Sequence, residues 1–510
     1  MSFSLLFISI IFIFLAYEYS YRRLKYKLPS GPFPWPILGN LPYLEPDIFQ
    51  CLDKWSQIYG QIISLWLGST LNVVVSSSEL AKEVLKDKDQ LLAHRPRNKP
   101  VSIMSKDGKG ILWADYGPHY VKLRKICTLE LFSPKGIEAL RPIREGEVRA
   151  MVESIFKETI NPDNYSKILL LRKYLQPVVS NSVTMLVLGK RFLSRGGVTS
   201  ELGQEFKATL GNEMKLAGSF FPAEHFWWLN WIFWLRNNTF SRQLARRDRL
   251  IRAVIEAYRA EKKNGANAKP HLLDSLLGFQ ETYGLSEESI KELLWDVTTA
   301  GLETSSIVVE CAMAQLVKNP RVQFRAQEEL DKVIGLNRVM AESDISKLPY
   351  LKCIVKEALR LHPPAPLLLP HKANSNIKIG GYDVPKGTHV HVNVRAIGRD
   401  PAVWQDPVEF RPERFLEKDV EIKGHDFRLL PFGAGRRMCP AAQLGMNLVT
   451  SMLGQLLHNF SWALPEGVLP EEVDLCGISG MASFMQKPLQ VVPSVRLPAH
   501  LYKNEGLDTQ

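Results

Sequence analysis

One short glycine-rich stretch around a cysteine constrains this chain more than any other feature of its sequence. Residues 431–440 are Pro-Phe-Gly-Ala-Gly-Arg-Arg-Met-Cys-Pro, and the two glycines permit a tight turn and a close approach of the backbone to a flat ligand. Cys439 lies just before an apolar helical pattern that begins near Gln443. A thiolate at a helix N-terminus is stabilised by the helix dipole and by backbone N–H groups. Taken alone, the stretch predicts either such a thiolate or a glycine turn with a buried cysteine.

The same stretch resembles the haem loop of the cytochrome P-450 superfamily, Phe-x-x-Gly-x-Arg-x-Cys-x-Gly. The matching positions are Phe432, Gly435, Arg437 and Cys439, whereas Ala441 replaces the final glycine. The resemblance implies haem b as the cofactor, Cys439 as the axial ligand of the iron, and cofactor contacts from Phe432 and Arg437. It also implies a mainly α fold with a small β portion. Ala441 removes no ligand and is small enough to be tolerated.

A second pattern stands in the middle of a long helix predicted from about residue 286 to residue 318, just before a proline. It is Ala-Gly-Leu-Glu-Thr at positions 300–304, and glycine and threonine are both poor choices for a helix interior. The residues alone favour a packed helix with a back-bonded threonine. The resemblance implies more: room for dioxygen at Gly301, a hydrogen bond from Thr304 to the bound oxygen, and proton relay through Glu303.

Three further residues form a predicted structural triad. Glu357 and Arg360 share one face of a helix predicted from about residue 348 to residue 361. Most such pairs are solvated and contribute little. The segment Pro-Glu-Arg-Phe that contains Arg414 favours a buried, structural role for the pair instead. In the superfamily, an arginine of such a segment binds to the Glu-x-x-Arg helix. The resemblance implies that the triad shapes the fold behind the haem.

The propionates of a haem need cationic or hydrogen-bond donor partners. The family pattern Trp-x-x-x-Arg occurs here as Tyr120 and Arg124 with three residues between them. His371, which follows a proline, matches another propionate contact of the family. The resemblance therefore implies that Tyr120, Arg124 and His371 bind the cofactor; for the first two, an exposed helix face is the alternative.

The N-terminus predicts a membrane anchor. Residues 3–17 are almost entirely apolar and a basic cluster follows at residues 22–27. This order predicts a retained signal-anchor over residues 1–27 with the bulk of the chain on the cytosolic face, and a cleaved signal peptide is the alternative. Residues 28–40 are rich in proline and predict a stiff hinge. Residues 41–510 are then one haem-thiolate monooxygenase domain.

Other stretches complete the organisation. Short strands are predicted at residues 62–67, 71–75 and around 390–394, with long helices dominating from about 130 to 360. Residues 226–235 contain four tryptophans, which fits either an interfacial element near a substrate entrance or a buried core helix.

Composition adds two exclusions. The formal charge is +11, but the basic residues are dispersed rather than gathered in one arm, so nucleic acid is the weakest partner class. The six cysteines contain no Cys-x-x-Cys pair, which argues against a disulfide framework or a zinc ribbon.

Longer stretches narrow the resemblance. Residues 71–78, 113–122, 140–145 and 423–432 are similar to those of the plant coumaroyl-ester meta-hydroxylases. The resemblance implies an endoplasmic reticulum enzyme of phenylpropanoid metabolism that takes electrons from NADPH through a cytochrome P-450 reductase. It would hydroxylate the ring of a 4-coumaroyl ester or amide, and its acceptor half (shikimate, quinate, phenyllactate, amine or polyamine) stays open. Basic residues near Arg428, Arg436 and Arg437 are predicted to dock the reductase.

Three alternatives remain at this point. The substrate is another plant phenolic or an alkaloid, or the protein is a haem-thiolate isomerase or dehydratase acting on peroxides, or it is a non-catalytic haem-binding membrane protein. The pair Glu303 and Thr304 argues against the peroxide enzymes, which often lack it.

Overall fold

The structure is a computed structural model that describes residues 25–162, 167–192, 201–217, 234–263, 272–475, 477–478 and 482–502. The predicted anchor up to residue 24, most of the tryptophan-rich segment at 226–235 and Cys476 lie outside the described residues. Among the residues that the structure describes, no helix has both the length and the apolar character that a bilayer crossing requires. The other five cysteines are free thiols.

Helices make up most of the described chain. In order they are α1 (Ile48–Tyr59), α2 (Ser78–Lys82), α3 (Asp89–Leu92), α4 (Lys99–Met104), α5 (Pro118–Ile126), α6 (Pro134–Ala139), α7 (Arg141–Ile160), α8 (Arg172–Leu188), α9 (Glu201–Ala217), α10 (Trp234–Lys263), α11 (Leu272–Tyr283), α12 (Glu287–Gly301), α13 (Thr304–Lys318), α14 (Pro320–Val333), α15 (Pro349–Leu361), α16 (Val394–Ile397), α17 (Arg414–Glu417) and α18 (Ala442–Asn459). Two π-helical turns, Glu83–Asp87 and Cys127–Leu131, follow α2 and α5. The predicted dominance of helix is confirmed.

In the described part of the chain, strands form four small sheets. They are β1 (Ile62–Leu67), β2 (Thr70–Val75), β3 (Leu169–Leu170), β4 (His371–Lys372), β5 (Ile377–Ile379), β6 (Tyr382–Val384), β7 (His389–Val392), β8 (Phe460–Ala463), β9 (Gly477–Ile478), β10 (Phe484–Met485) and β11 (Gln490–Val495). The largest sheet has the order β1-β2-β7-β4, with β1 and β2 antiparallel and β2 and β7 parallel. The three predicted strands are present, although the last ends at Val392 because Asn393 caps α16.

The core lies between the long helices. Its largest cluster draws buried side chains from six helices, among them Val152 of α7, Val179 of α8, Ala312 of α13, Ile354 of α15 and Met452 of α18. The apolar stripe predicted for the helix near residues 348–361 faces this cluster, and Pro349 occupies the first turn, where a missing N–H costs nothing. A second cluster joins α5, α8, α10 and α12. The site described below lies against both clusters.

The predicted long helix is interrupted. Ser286 caps its start by accepting a hydrogen bond from the Ser289 N–H, and Lys318 is its last residue, as expected. Between Gly301 and Thr304, however, Glu303 has φ −126° and ψ −30°, so the chain forms two helices, α12 and α13. Glycine is a weak helix former, and the Thr304 hydroxyl donates to the Ala300 carbonyl at 3.1 Å, the acceptor that the Thr304 N–H would use in an unbroken helix.

Candidate active site

The loop before α18 folds back on itself and presents Cys439. The Cys439 N–H donates to the Phe432 carbonyl at 2.9 Å, which closes the turn predicted from the two glycines. Gly433 and Gly435 both adopt the left-handed conformation, at φ +68° and +65°. A Cβ on Gly435 would lie 2.0 Å from the Leu85 carbonyl oxygen, so only glycine fits there. The loop is therefore pinned against the π-helical turn after α2.

The surroundings of the Cys439 thiol shift its pKa in both directions. Burial raises the pKa of Cys439, whereas a hydrogen bond from the Ala441 N–H and the positive charge of Arg124 act in the opposite direction. In the protein alone the neutral thiol is therefore favoured. A cation placed against the sulfur would reverse this preference, because metal coordination deprotonates a thiol.

Ala441 fits where the family has a glycine. Its φ of −97° and ψ of 18° are open to any L-residue, and its methyl group packs against the cluster that contains Leu302. The departure from the family pattern therefore leaves the loop intact.

One face of α5 and Tyr116, which lies just before the helix, clamp this loop. Tyr120 and Arg124 are four residues apart on α5, so they share a face, and the Tyr116 ring lies 6.0 Å from the Tyr120 ring. The Tyr120 hydroxyl donates to the Arg436 carbonyl at 2.7 Å, Arg124 donates to the Met438 carbonyl, and the Tyr116 hydroxyl accepts from the Arg436 guanidinium at 2.6 Å. The predicted pair of Tyr120 and Arg124 thus lies directly against the cysteine loop.

Arg437 points inward. Its Nε donates to the Ala93 carbonyl at 2.8 Å, and its guanidinium carbon lies 3.9 Å from the centroid of the Tyr120 ring. Because the side chain is engaged inside the fold, Arg437 is a weak candidate for the predicted reductase-docking surface, and that surface stays a prediction. Arg428 and Arg436 are paired with Asp426 and Asp89, which leaves them little free charge for a partner.

A third arginine, missed in the sequence, completes this cationic group. Arg95 is 6% exposed, and burial together with the nearby charge of Arg437 lowers its pKa to about 9. Its Nη1 donates to the carbonyls of Leu369 and Pro370, while its Nε is buried without a partner. Nothing in the segment His-Arg-Pro-Arg shows which arginine is buried, so the sequence offers no signal for it.

The cationic group fits the anionic side of a haem. Among the described residues, no carboxylate forms an ion pair with Arg95, Arg124 or Arg437, which instead contact backbone carbonyls. Buried guanidinium groups without counter-charges are costly, and two propionates would supply the missing charges. The thiol of Cys439, on the same loop, is the candidate for the iron ligand that a haem requires, and this role stays a prediction.

His371 lies near Arg95 and Arg437, and its hydrogen bond defines which ring nitrogen carries the proton. It lies on β4, 5% exposed, and its Nδ1 donates to the Leu92 carbonyl at 2.9 Å. Burial, followed by the charge of Arg95, lowers its pKa well below the usual value. The neutral ring therefore has Nε2 as an acceptor, and a hydrogen bond from Nε2 to a carboxylate requires uptake of one proton.

The break between α12 and α13 carries the predicted oxygen-handling residues. A Cβ at Gly301 would lie 2.8 Å from a methyl of Val183, so the glycine lets α12 approach α8 closely; its part in admitting dioxygen stays a prediction. Burial raises the pKa of Glu303, and the charge of Arg172 opposes this. Leu302, within the break, shares a cluster with Ala441, so the break and the cysteine loop flank the same core.

Another missed residue, Asp296, ties the loop before α5 to α12. Its Oδ2 accepts from the Leu112 N–H at 3.0 Å, and a Cβ on Gly110 would lie 2.1 Å from that oxygen. Burial raises the pKa of Asp296 to about 7. The Ala114 carbonyl of the same loop accepts a hydrogen bond from Arg437. By holding this loop, Asp296 therefore helps to position Arg437.

The structure brings the three residues of the predicted triad together. Glu357 and Arg360 are fully buried, and Arg414 is 6% exposed. Arg360 Nε donates to Glu357 Oε2 at 2.7 Å and its Nη2 donates to Oε1 at 2.8 Å. Arg414 Nε donates to the same Oε1 at 3.0 Å. The triad fastens α17 and the segment before it to α15.

The comparisons with known proteins agree with this fold. The family model for cytochrome P450 matches residues 29–491, so the chain belongs to the cytochrome P450 family. A structure of a zebrafish cytochrome P450 with abiraterone superposes with a TM-score of 0.72 at 26% identity and covers 89% of this chain and 99% of that chain.

Two plant relatives are considerably more similar. The chain is 58% identical to cytochrome P450 98A2 of Glycine max, over 97% of either chain. It is 54% identical to cytochrome P450 98A1 of Sorghum bicolor, over 92% of either chain. The predicted family is thereby confirmed. The protein is a cytochrome P450 monooxygenase that uses haem and takes electrons from NADPH through a reductase.

Proposed function

We propose that this monooxygenase hydroxylates the aromatic ring of a 4-coumaroyl ester or amide beside the phenol and forms the caffeoyl product. The observation that carries the chemistry is Cys439, held in a loop that shares a core with the broken helix bearing Glu303 and Thr304. The observation that favours this substrate class is the 58% identity with cytochrome P450 98A2 along nearly the whole chain, together with the stretches similar to coumaroyl-ester hydroxylases.

The bound haem supplies dioxygen activation with two electrons delivered by the reductase. Cys439 would hold the iron through its thiolate. Arg95, Arg124 and Arg437 would hold the propionates, and His371 would donate to one of them after taking up a proton. Tyr120 contributes by stacking on Arg437 and by fixing the loop through the Arg436 carbonyl.

Proton delivery falls to the residues of the helix break. The Thr304 hydroxyl donates to the Ala300 carbonyl in this structure; after a side-chain rotation it would be able to donate a hydrogen bond into the site instead. Because burial raises the pKa of Glu303, its carboxyl holds a proton at a higher pH than an exposed glutamate does. It therefore serves as a proton store beside the threonine.

The location follows from the first forty residues. We propose that residues 1–27 anchor the protein in the endoplasmic reticulum membrane by a single span, with the hinge at 28–40 and the catalytic domain from 41 to 510 on the cytosolic face. The basic cluster at residues 22–27 favours the cytosolic side of the membrane. The sequence also lacks a cleavage-site pattern after the apolar stretch, which favours a retained anchor.

The test is turnover of a panel of conjugates by the full chain with reductase and NADPH. The panel contains the coumaroyl esters of shikimate, quinate and phenyllactate, the amides of tyramine and spermidine, and one flavonoid. Caffeoyl product from at least one coumaroyl conjugate is expected. Product from the flavonoid alone would move the substrate to another phenolic. Consumption of a peroxide without reductase would identify an isomerase or dehydratase, and bound haem without any turnover would make the protein non-catalytic.

A further inference from the structure

A cationic cavity opens where the described chain begins. Its volume is about 700 Å³, and its wall includes Lys25, Lys372 and Lys386 together with Tyr26 and Trp66. No aspartate or glutamate is among the residues that line it in the described part of the chain. A cavity with three ammonium groups and no carboxylate is suited to an anion.

Two of these lysines are presented by a rigid frame. Lys372 belongs to β4 and is paired in register with His389 of β7. Lys386 stands in the turn before β7, where its N–H donates to Asn376 Oδ1 at 2.8 Å. Within the described residues, neither ammonium group forms an ion pair. The positive charges of Lys372 and Lys386 are thus held in place by the sheet and its turn, and no carboxylate of the described residues neutralises them.

An exposed apolar patch lies beside the cavity. It consists of Phe33, Trp35, Leu38 and Tyr43, of which Phe33 is 69% and Trp35 54% exposed. The patch is fastened to the hairpin of β1 and β2, because the Gly68 N–H donates to the Leu38 carbonyl at 3.1 Å. The next residue of that turn, Ser69, lines the cavity. Apolar patch and cationic cavity therefore occupy neighbouring positions on one face.

The position of this face indicates what covers it. Lys25 is the first described residue, and the apolar stretch at residues 3–17 precedes it by only a few residues. If residues 1–27 are the membrane anchor proposed above, only a short segment separates this face from the bilayer. Tryptophan and tyrosine favour the headgroup level of a membrane, and lysines near an anionic leaflet are attracted to it.

We infer that this face lies on the membrane and that the cavity receives the phosphate of an anionic phospholipid headgroup. The exposed aromatic side chains enter the interface, and Lys372 and Lys386 neutralise the phosphate. Such a contact fixes the domain at one tilt relative to the bilayer, which an anchor followed by a hinge does not do alone.

The test uses the full chain in a neutral detergent. Binding is measured calorimetrically with three probes: dihexanoyl phosphatidylglycerol, dihexanoyl phosphatidylcholine and inorganic phosphate. Saturable binding of the phosphatidylglycerol is expected, with much weaker binding of the zwitterionic lipid and of phosphate. In the double variant Lys372→Gln, Lys386→Gln this binding should weaken about twenty-five-fold, since each lysine near an anionic surface contributes roughly fivefold.

The matched control is Lys332→Gln, Lys418→Gln, which removes two exposed lysines that do not line the cavity and should bind as the parent does. Phosphate bound as tightly as the lipid would make this a free-phosphate site and overturn the membrane assignment, as would equal binding by both double variants. Coumaroyl-ester turnover in detergent is measured on the same samples. It should be unchanged, so that a failure of the proposed function is seen separately.

Discussion

Removal of the Glu357 carboxylate is the sharpest test of how the fold behind the cysteine loop is held. Both oxygens of this fully buried group are used: besides the three guanidinium contacts, Oε1 accepts from the Arg411 N–H at 2.8 Å. Glu357→Ala leaves two buried guanidinium groups without their counter-charge, which typically costs about 3–5 kcal/mol. Each keeps a backbone acceptor, since Arg360 donates to the Pro407 carbonyl at 2.6 Å and Arg414 to the Gln405 carbonyl at 2.8 Å. We therefore expect a loss toward the lower end, about 3 kcal/mol.

The assay is urea unfolding followed by tryptophan fluorescence, with the carbon monoxide difference spectrum as the measure of intact thiolate ligation. Glu417→Ala is the matched control, because Glu417 also pairs with an arginine of this region, Arg411, but has a side chain 55% exposed. Exposed pairs contribute about 0–1 kcal/mol. If Glu357→Ala cost no more than this control and kept the full spectrum, the triad would not hold the fold as reasoned here.

Three other predictions address the site. Cys439→Ala should abolish the thiolate-type carbon monoxide spectrum of the reduced protein, whereas Cys127→Ala, at another buried thiol, should keep it; a surviving spectrum in the first variant would refute the ligand assignment. Thr304→Ala should divert electrons to hydrogen peroxide and lower product formed per NADPH by about tenfold, with Thr304→Ser close to the parent; unchanged coupling would remove the proton role. Burial raises the pKa of Asp296 from 3.8 to about 7, so the neutral form favours the fold. Its stabilising contribution is lost as the pH rises from about 4 through 7, by up to about 1.4 kcal/mol per pH unit. Asp296→Asn should therefore gain stability relative to the parent between urea titrations at pH 5.5 and pH 8, and an equal difference at both values would contradict this.

Much of the site could be predicted because its residues belong to short sequence motifs, whose spacing depends only on local structure. The glycines before Cys439 specify the turn, and the spacing of Glu357 and Arg360 specifies a shared helical face. Tyr120 and Arg124 follow the same rule and indeed contact one loop. In each case, the sequence separation fixes the direction of the side chain once the element is known.

The parts that escaped prediction depend on long-range packing. Arg95 is buried because segments far apart in the chain, such as Leu369–Pro370, close around it. The Arg437 guanidinium carbon lies 3.9 Å from the centroid of the Tyr120 ring, a contact between distant parts of the chain that no spacing reveals. The interruption at Glu303 was also missed, since glycine and threonine weaken a helix without stating where it stops.

The interruption at Glu303 divides the predicted central helix into two separate helices, α12 and α13. The outer piece, α12, is tied through Asp296 to the loop before α5, whereas α13 is buried among α8, α15 and α18. Because the helical hydrogen bonds are interrupted at Glu303, a small tilt of α12 can be taken up at the break without displacing α13. We therefore expect α12 to shift more than α13 when conjugates with acceptor groups of different size bind.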